Sequence, residues 1–88
     1  MNDQDRATFE ELDQVEVVRL HYSIREVDGT ERVCRQPRIG DRGTVVSLLQ
    51  RGSGTPSYYV ECVDEAGLTV WLAEFDGDEL APLPERAA

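Results

Sequence analysis

The sequence predicts a small, mainly β domain of five short strands folded into a barrel. Three observations carry that expectation. Runs rich in β-branched and aromatic residues recur at short spacing, at Val15–Leu20, Thr44–Leu49 and Ser57–Val63. Glycine-containing turns separate them, and the whole chain has only 88 residues. A chain this short holds one core and buries about 60–65% of the surface its unfolded form exposes. Residues 10–84 are expected to form the domain, with a flexible N-terminal tail over 1–9 and a C-terminal tail over 85–88.

The first strand, Val15–Leu20, offers two inward pairs, Val15 with Val17 or Val18 with Leu20, and the pattern does not choose between them. His21 to Pro37 is polar and rich in arginine. It reads either as a loose loop or as a short hairpin of Ser23–Val27 and Arg32–Arg35 around Asp28-Gly29, a favourable turn pair. Gly40 and Gly43 bracket Asp41-Arg42 and turn the chain into the second strand. Arg51 to Pro56 is a loop by composition.

Ser57–Val63 places Tyr58, Val60 and Cys62 on one face. Asp64 to Leu68 fits a three-residue hairpin loop closed by Gly67 in the left-handed region. Counting back from that turn pairs Cys62 with Val70 and Val60 with Leu72. The core face is then Tyr58, Val60, Cys62, Val70 and Leu72, joined by Val45 and Leu80. On this register Trp71 lies opposite Glu61, and Tyr59 opposite Ala73, on the outer face. Glu74 to Asp78 reads as a turn, and Asp78 to Leu83 as a last strand ended by Pro82 and Pro84.

Nine basic residues, all arginine, meet eighteen acidic ones, a net charge of −9. The charge is uneven: −5 over Met1–Val18, +2 over Arg19–Arg42 and −6 over Gly43–Ala88. So negative a molecule repels phosphate backbones and anionic lipid, which argues against nucleic acid and membranes as partners. The polar, acidic start has no apolar stretch of the kind an export signal needs. With only Cys34 and Cys62, far apart, the expectation is a cytoplasmic protein with free thiols.

The run Gly40-Asp41-Arg42-Gly43-Thr44-Val45-Val46 resembles the opening of KOW-like and other SH3-like barrel domains. The order of pieces is similar to a family of short bacterial proteins, domain of unknown function 4926. The matching residues are Asp13 and Val15, then Gly40 to Val46, then Tyr58-Tyr59-Val60-Glu61-Cys62-Val63-Asp64, then Gly67-Leu68-Thr69. The similarity runs from about Leu12 to Leu83. It departs from the family pattern at Cys62, where the family prefers Phe, and in the long stretch from His21 to Arg38. The resemblance implies a five-stranded SH3-like barrel and brings no activity with it, because the family is uncharacterised.

Catalysis is not expected. The one histidine, His21, reads as a surface side chain, and Glu74, Asp76, Asp78 and Glu79 read as a solvated acidic turn without the spacing of a calcium loop. Cys34, Cys62 and His21 lack paired zinc spacing, so no metal or other cofactor is expected. Cys34 lies between Arg32 and Arg35, where positive charge favours thiolate; redox sensing is one reading and an incidental thiol the plainer one. What remains is a non-catalytic module that binds another protein. Tyr59 and Trp71 are the candidate apolar anchors, although the favoured reading is that the Arg-rich segment or the N-terminal stretch folds over them, and Arg32, Arg35 and Arg38 are the candidate charged contacts. Two other readings fit the same features: an acidic neutraliser of a basic protein, of antitoxin or immunity type, and an accessory domain of an enzyme complex.

Overall fold

In the computed structural model residues 9–50 and 54–83 are described. Five antiparallel strands form one sheet: β1 (Gln14–Val17), β2 (Arg42–Leu49), β3 (Ser57–Val63), β4 (Thr69–Asp76) and β5 (Leu80–Pro82). The pairing order is β4-β3-β2-β1-β5. The protein is mainly β, and its only helical element among the described residues is a single 3-10 turn, Gly77–Glu79. No described helix is long and apolar enough to cross a membrane.

The sheet is open: β4 and β5 do not pair, so closure into a barrel is not made by strand pairing. The physical reason lies in the long polar segment between β1 and β2, which occupies the outer edge of β4. Asp28 exchanges both main-chain hydrogen bonds with Leu72, Thr30 N–H donates to the Thr69 carbonyl and Arg35 N–H to that of Val70. An edge strand left bare would invite pairing with another chain; here the protein covers it itself. The hairpin considered for this segment does not form. Its turn falls at Thr30–Val33, with Val33 and Cys34 N–H donating to the Thr30 carbonyl, not at Asp28-Gly29. Gly29 lies so close to β4 that a Cβ there would come within 2.9 Å of the Val70 carbonyl oxygen.

Val15 and Val17 are the inward pair of β1, both buried, while Val18 is exposed. They join Val45, Tyr58, Val60, Cys62, Val70, Trp71, Ala73, Phe75 and Leu80 in one core, so Val70 is buried as expected. Phe9 belongs to it too: its ring meets Tyr58 edge-on at 5.3 Å, and its N–H reaches the Tyr58 hydroxyl. The ordered domain therefore includes Phe9, which the sequence reading assigned to the tail. The rest of that tail, the 85–88 tail, Pro84 and the start of the 51–56 loop lie outside the described residues.

The turn expected at Asp64–Leu68 is present, with Asp64 N–H bonded to the Leu68 carbonyl and Gly67 at φ +85°. The register built on it is not. Two residues beyond the turn, β4 contains a bulge at Val70: Val63 pairs with Thr69, but Cys62 pairs with Trp71. A one-residue slip exchanges the two faces of a strand. Trp71, Ala73 and Phe75 therefore point into the core, and Leu72 stands half-buried on the outer face opposite Glu61. The stretch after Ala73 also continues as strand to Asp76 instead of turning at Glu74.

Two glycines set tight geometry, and each gives a measurable outcome. A Cβ on Gly43 would sit 2.6 Å from the Glu61 carbonyl oxygen and 2.8 Å from a Val60 methyl. Gly43→Ala should cost about 1–3 kcal/mol through overpacking against β3. Gly67 has open space around it, so Gly67→Val should cost about 1–3 kcal/mol through backbone strain alone. Urea midpoints measure both; an unchanged midpoint for Gly67→Val would mean that the hairpin is closed in some other way.

Candidate functional site

The residues expected to form a partner surface divide between two places. Trp71 has no solvent exposure, and its indole N–H donates to the Asp41 carboxylate at 2.9 Å. It therefore cannot serve as an outer-face anchor. Arg35 grips the same carboxylate with both terminal nitrogens, at 2.8 and 3.1 Å, and Arg38 N–H adds a bond of 2.9 Å. Trp71 and Arg35 thus meet, but as parts of the fold. Burial pushes the Asp41 carboxyl up in pKa; the hydrogen bonds from Arg35, Trp71 and Arg38 outweigh that and leave it low. Arg32 and Arg38 are exposed, and Tyr59 is half-buried on the outer face between Ser47 and Glu74.

The acidic turn expected near the C-terminus is not uniformly solvated either. Glu79 is wholly buried. Its two oxygens take the guanidinium of Arg25 side by side, Nη2 at 2.7 Å and Nη1 at 3.2 Å, and accept the main-chain N–H of His21 and of Asp76. Burial raises the carboxyl's pKa, and these four bonds more than reverse it. The Arg25 guanidinium lies 4.5 Å above the Phe75 ring and 5.5 Å from that of Tyr22. Its main chain is held by Gln36, whose side-chain amide bonds both the N–H and the carbonyl of Arg25.

Tyr22, Arg25, Glu26, Phe75, Asp76 and Glu79 surround an open cleft of about 320 Å³, with Glu74 completing its wall. The Ser57 hydroxyl donates to Glu74. Tyr22 and the neighbouring Ile24 are 59% and 77% exposed, although Arg25 beside them is fixed.

No protein family, curated protein or solved structure matches this chain. What the site can do is therefore argued from its own chemistry. His21 Nε2–H donates to both oxygens of Asp78, at 2.9 and 3.1 Å, and that hydrogen bond raises the histidine's pKa. His21, Asp76 and Asp78 bring ligand atoms within 4.8 Å of one another and are the described residues best able to hold a cation. All three are exposed, and the histidine nitrogen already has Asp78 as a partner. Both cysteines are free thiols, Cys34 exposed and Cys62 buried, and burial pushes the Cys62 thiol up.

The sequence reading missed Tyr22, Arg25 and Glu79 as a group. Arg25 and Glu79 lie 54 positions apart, with no local motif joining them. The one signal available was compositional: a stretch so poor in large apolar residues has to be fastened by polar bonds if it is ordered at all.

Glu79 and Asp41, both held below their unfolded pKa, add stability above about pH 4 and lose it as pH falls through their lower folded values. The exposed His21 acts in the opposite sense: its contribution is complete below about pH 6.5 and fades as pH rises past its raised value. Glu79→Gln leaves Arg25 buried without its counter-charge and should cost about 3–5 kcal/mol near pH 7. The gap between wild type and variant should shrink as pH is lowered from about 5 to about 3. Urea unfolding across that range is the measurement. A constant gap would mean that Glu79 contributes shape, not charge.

Proposed function

We propose that this protein is a non-catalytic module that binds another protein, and that its contact surface is the exposed face of the segment between β1 and β2. The observation carrying this reading is the exposure of Tyr22 and Ile24 beside a buried, fully bonded Arg25. Apolar side chains presented on an immobilised backbone lose little freedom on association, which is the property that favours binding. Exposed Arg32 and Arg38 extend the same segment and offer charged contacts at its rim. Tyr59, half-buried on the outer face of the sheet, pairs across the strands with Glu74, which lines the cleft beside Tyr22.

Membership of the family domain of unknown function 4926 is part of the proposal. It is supported by Gly40–Val46 forming the turn into β2 and by the close approach that only glycine allows at Gly43. Two free thiols fit a reducing compartment, and we place the protein in the cytoplasm on that ground. The net charge of −9 favours a basic partner, which is the neutraliser reading of the same module.

Tyr22→Ser/Ile24→Ser should fold normally, since both side chains are exposed, with a stability change of about 0.5 kcal/mol or less. Wild type and variant, immobilised side by side, should differ in what they capture from host lysate. A partner retained by wild type and lost by about tenfold or more on the variant is the expected result. Equal capture would move the surface elsewhere. Single-stranded and duplex oligonucleotides should not bind near physiological salt; micromolar binding that weakened with salt would replace the protein-partner reading with a nucleic-acid one.

A further inference from the structure

The first strand covers only the first half of its neighbour. β1 pairs with β2 at Arg42, Gly43 and Thr44, and Leu12 and Asp13 extend the contact to Val45 through two main-chain bonds. Beyond Val45 no described residue bonds that edge of β2, although β2 runs on against β3 to Leu49. The chain leaves the edge at a tight turn over Glu10–Asp13, where Asp13 N–H donates to the Glu10 carbonyl and Glu10 N–H to the Asp13 carboxylate. Leu12 holds the left-handed position of that turn at φ +77°, where glycine or asparagine is usual. Bringing Phe9 to Tyr58 accounts for the turn. It does not account for a leucine there, because the side chain is 77% exposed and gains little from packing.

A strained, exposed leucine beside a bare strand edge has the form of a contact residue kept at some cost in stability. Val46 and Leu48, both exposed in part, carry apolar surface on from Leu12 along the edge. No charged residue lies between Gly43 and Gln50, so the edge lacks the charges that usually keep strand edges apart. Glu10 and Glu11 are exposed beside Leu12, and among the described residues neither has an ion-pair partner. We infer that an extended segment of a basic partner protein adds to β2 along Val46–Leu49. Its apolar side chains meet Val46 and Leu48, and basic side chains at the end nearest Leu12 face Glu10 and Glu11. Main-chain hydrogen bonds supply the affinity of such strand addition, and side chains supply its specificity. A second copy is a poorer occupant, since it brings together two molecules of net charge −9. The bulge between Val45 and Ser47 also twists the edge away from flat pairing with its own image. This inference rests on the protein-binding reading above and adds a second contact, at the other end of β1 from Tyr22.

The test uses the whole protein, labelled with ¹⁵N, and an acetylated, amidated nonapeptide of sequence RRVTVTVRR. NMR titration should shift the amides of Leu12, Val46 and Leu48 together, with a dissociation constant of about 0.1–1 mM, the strength open to a short unstructured strand. The acidic counterpart EEVTVTVEE should bind at least about tenfold more weakly. So should RRVTVTVRR with its five central amides N-methylated, and added salt should weaken the unmethylated peptide. Leu12→Gly should weaken the peptide about fivefold or more while its urea midpoint stays at or above that of wild type, because glycine accepts the left-handed position. A lower midpoint would show that the leucine supports the fold and would overturn its role as a contact. Equal binding by the acidic or the methylated peptide would overturn the inference, as would shifts centred on Tyr22 and Ile24. A dimer in sedimentation that Leu48→Lys dissolves would put a second copy on the edge instead. Nuclear Overhauser contacts from residues 1–8 to Val46–Leu49 in the free protein would put the chain's own start there, with the same consequence. Absence of peptide binding with Tyr22-dependent capture intact would remove the second contact and leave the module. Peptide binding at β2 without any Tyr22-dependent capture would keep the edge site and retire the first surface.

Discussion

A carboxylate with no contact with water stays charged only if the protein replaces every bond that water made, and Glu79 meets that condition. It takes two charge-assisted bonds from Arg25 and two from main-chain N–H groups, each from a different part of the chain. One bond fixes the segment leaving β1, one fixes the end of β4, and the arginine fixes the middle of the long connection. Much of the polar segment from Leu20 to Gly40 depends on that arrangement. It contributes only Leu20, Val27 and Val33 as hydrophobic side chains packed against the core, too little apolar area to hold some twenty residues. Buried ion pairs often add little net stability over an apolar replacement. What this one adds is position: it decides where Tyr22, Ile24 and the cleft wall stand.

Asp41 plays a matching part at the other end of the segment. It lies in the Gly40–Gly43 turn, where its main chain bonds Val17 and Arg38 and its side chain bonds Arg35 and the Trp71 indole. One residue thereby joins β1, the long connection, the start of β2 and the centre of β4. The indole needed such a partner. A buried Trp N–H without an acceptor is a lost hydrogen bond, and none of the apolar residues packed around it offers one. The glycines on either side do separate work: Gly40 supplies φ +99°, and Gly43 lets β2 approach β3.

Local chemistry was legible wherever the fold is local. The Asp64–Leu68 turn, the inward face of β3 and the start of β2 all follow from turn residues and period-two alternation. The bulge at Val70 did not follow, because Val70-Trp71-Leu72-Ala73 is apolar throughout and accepts either register. The signal that discriminates lies further along the strand. The expected register carries Glu74 onto the core face, and the observed one carries Phe75 there instead. Reading that strand as ending at Ala73 discarded the residue that would have settled the register. Phe9 was passed over for a similar reason: an acidic neighbourhood outweighed one aromatic ring whose partner, Tyr58, is 49 positions away.

The same distinction governs the charge. Six arginines between Arg19 and Arg42 look alike in sequence and suggest a basic region within an acidic protein. In the fold Arg25 is matched to Glu79, Arg35 to Asp41 and Arg19 to Asp78. Half of the apparent basic charge is thus neutralised by carboxylates from outside or at the edge of the segment. The field that an approaching molecule meets is more negative there than the local count implies. Near the cleft the Arg25 guanidinium adds little of its own charge to that field, because it is already paired with Glu79. Net charge drew attention to acidity as a property of the whole molecule; the pairing of three arginines shows how unevenly it is spread.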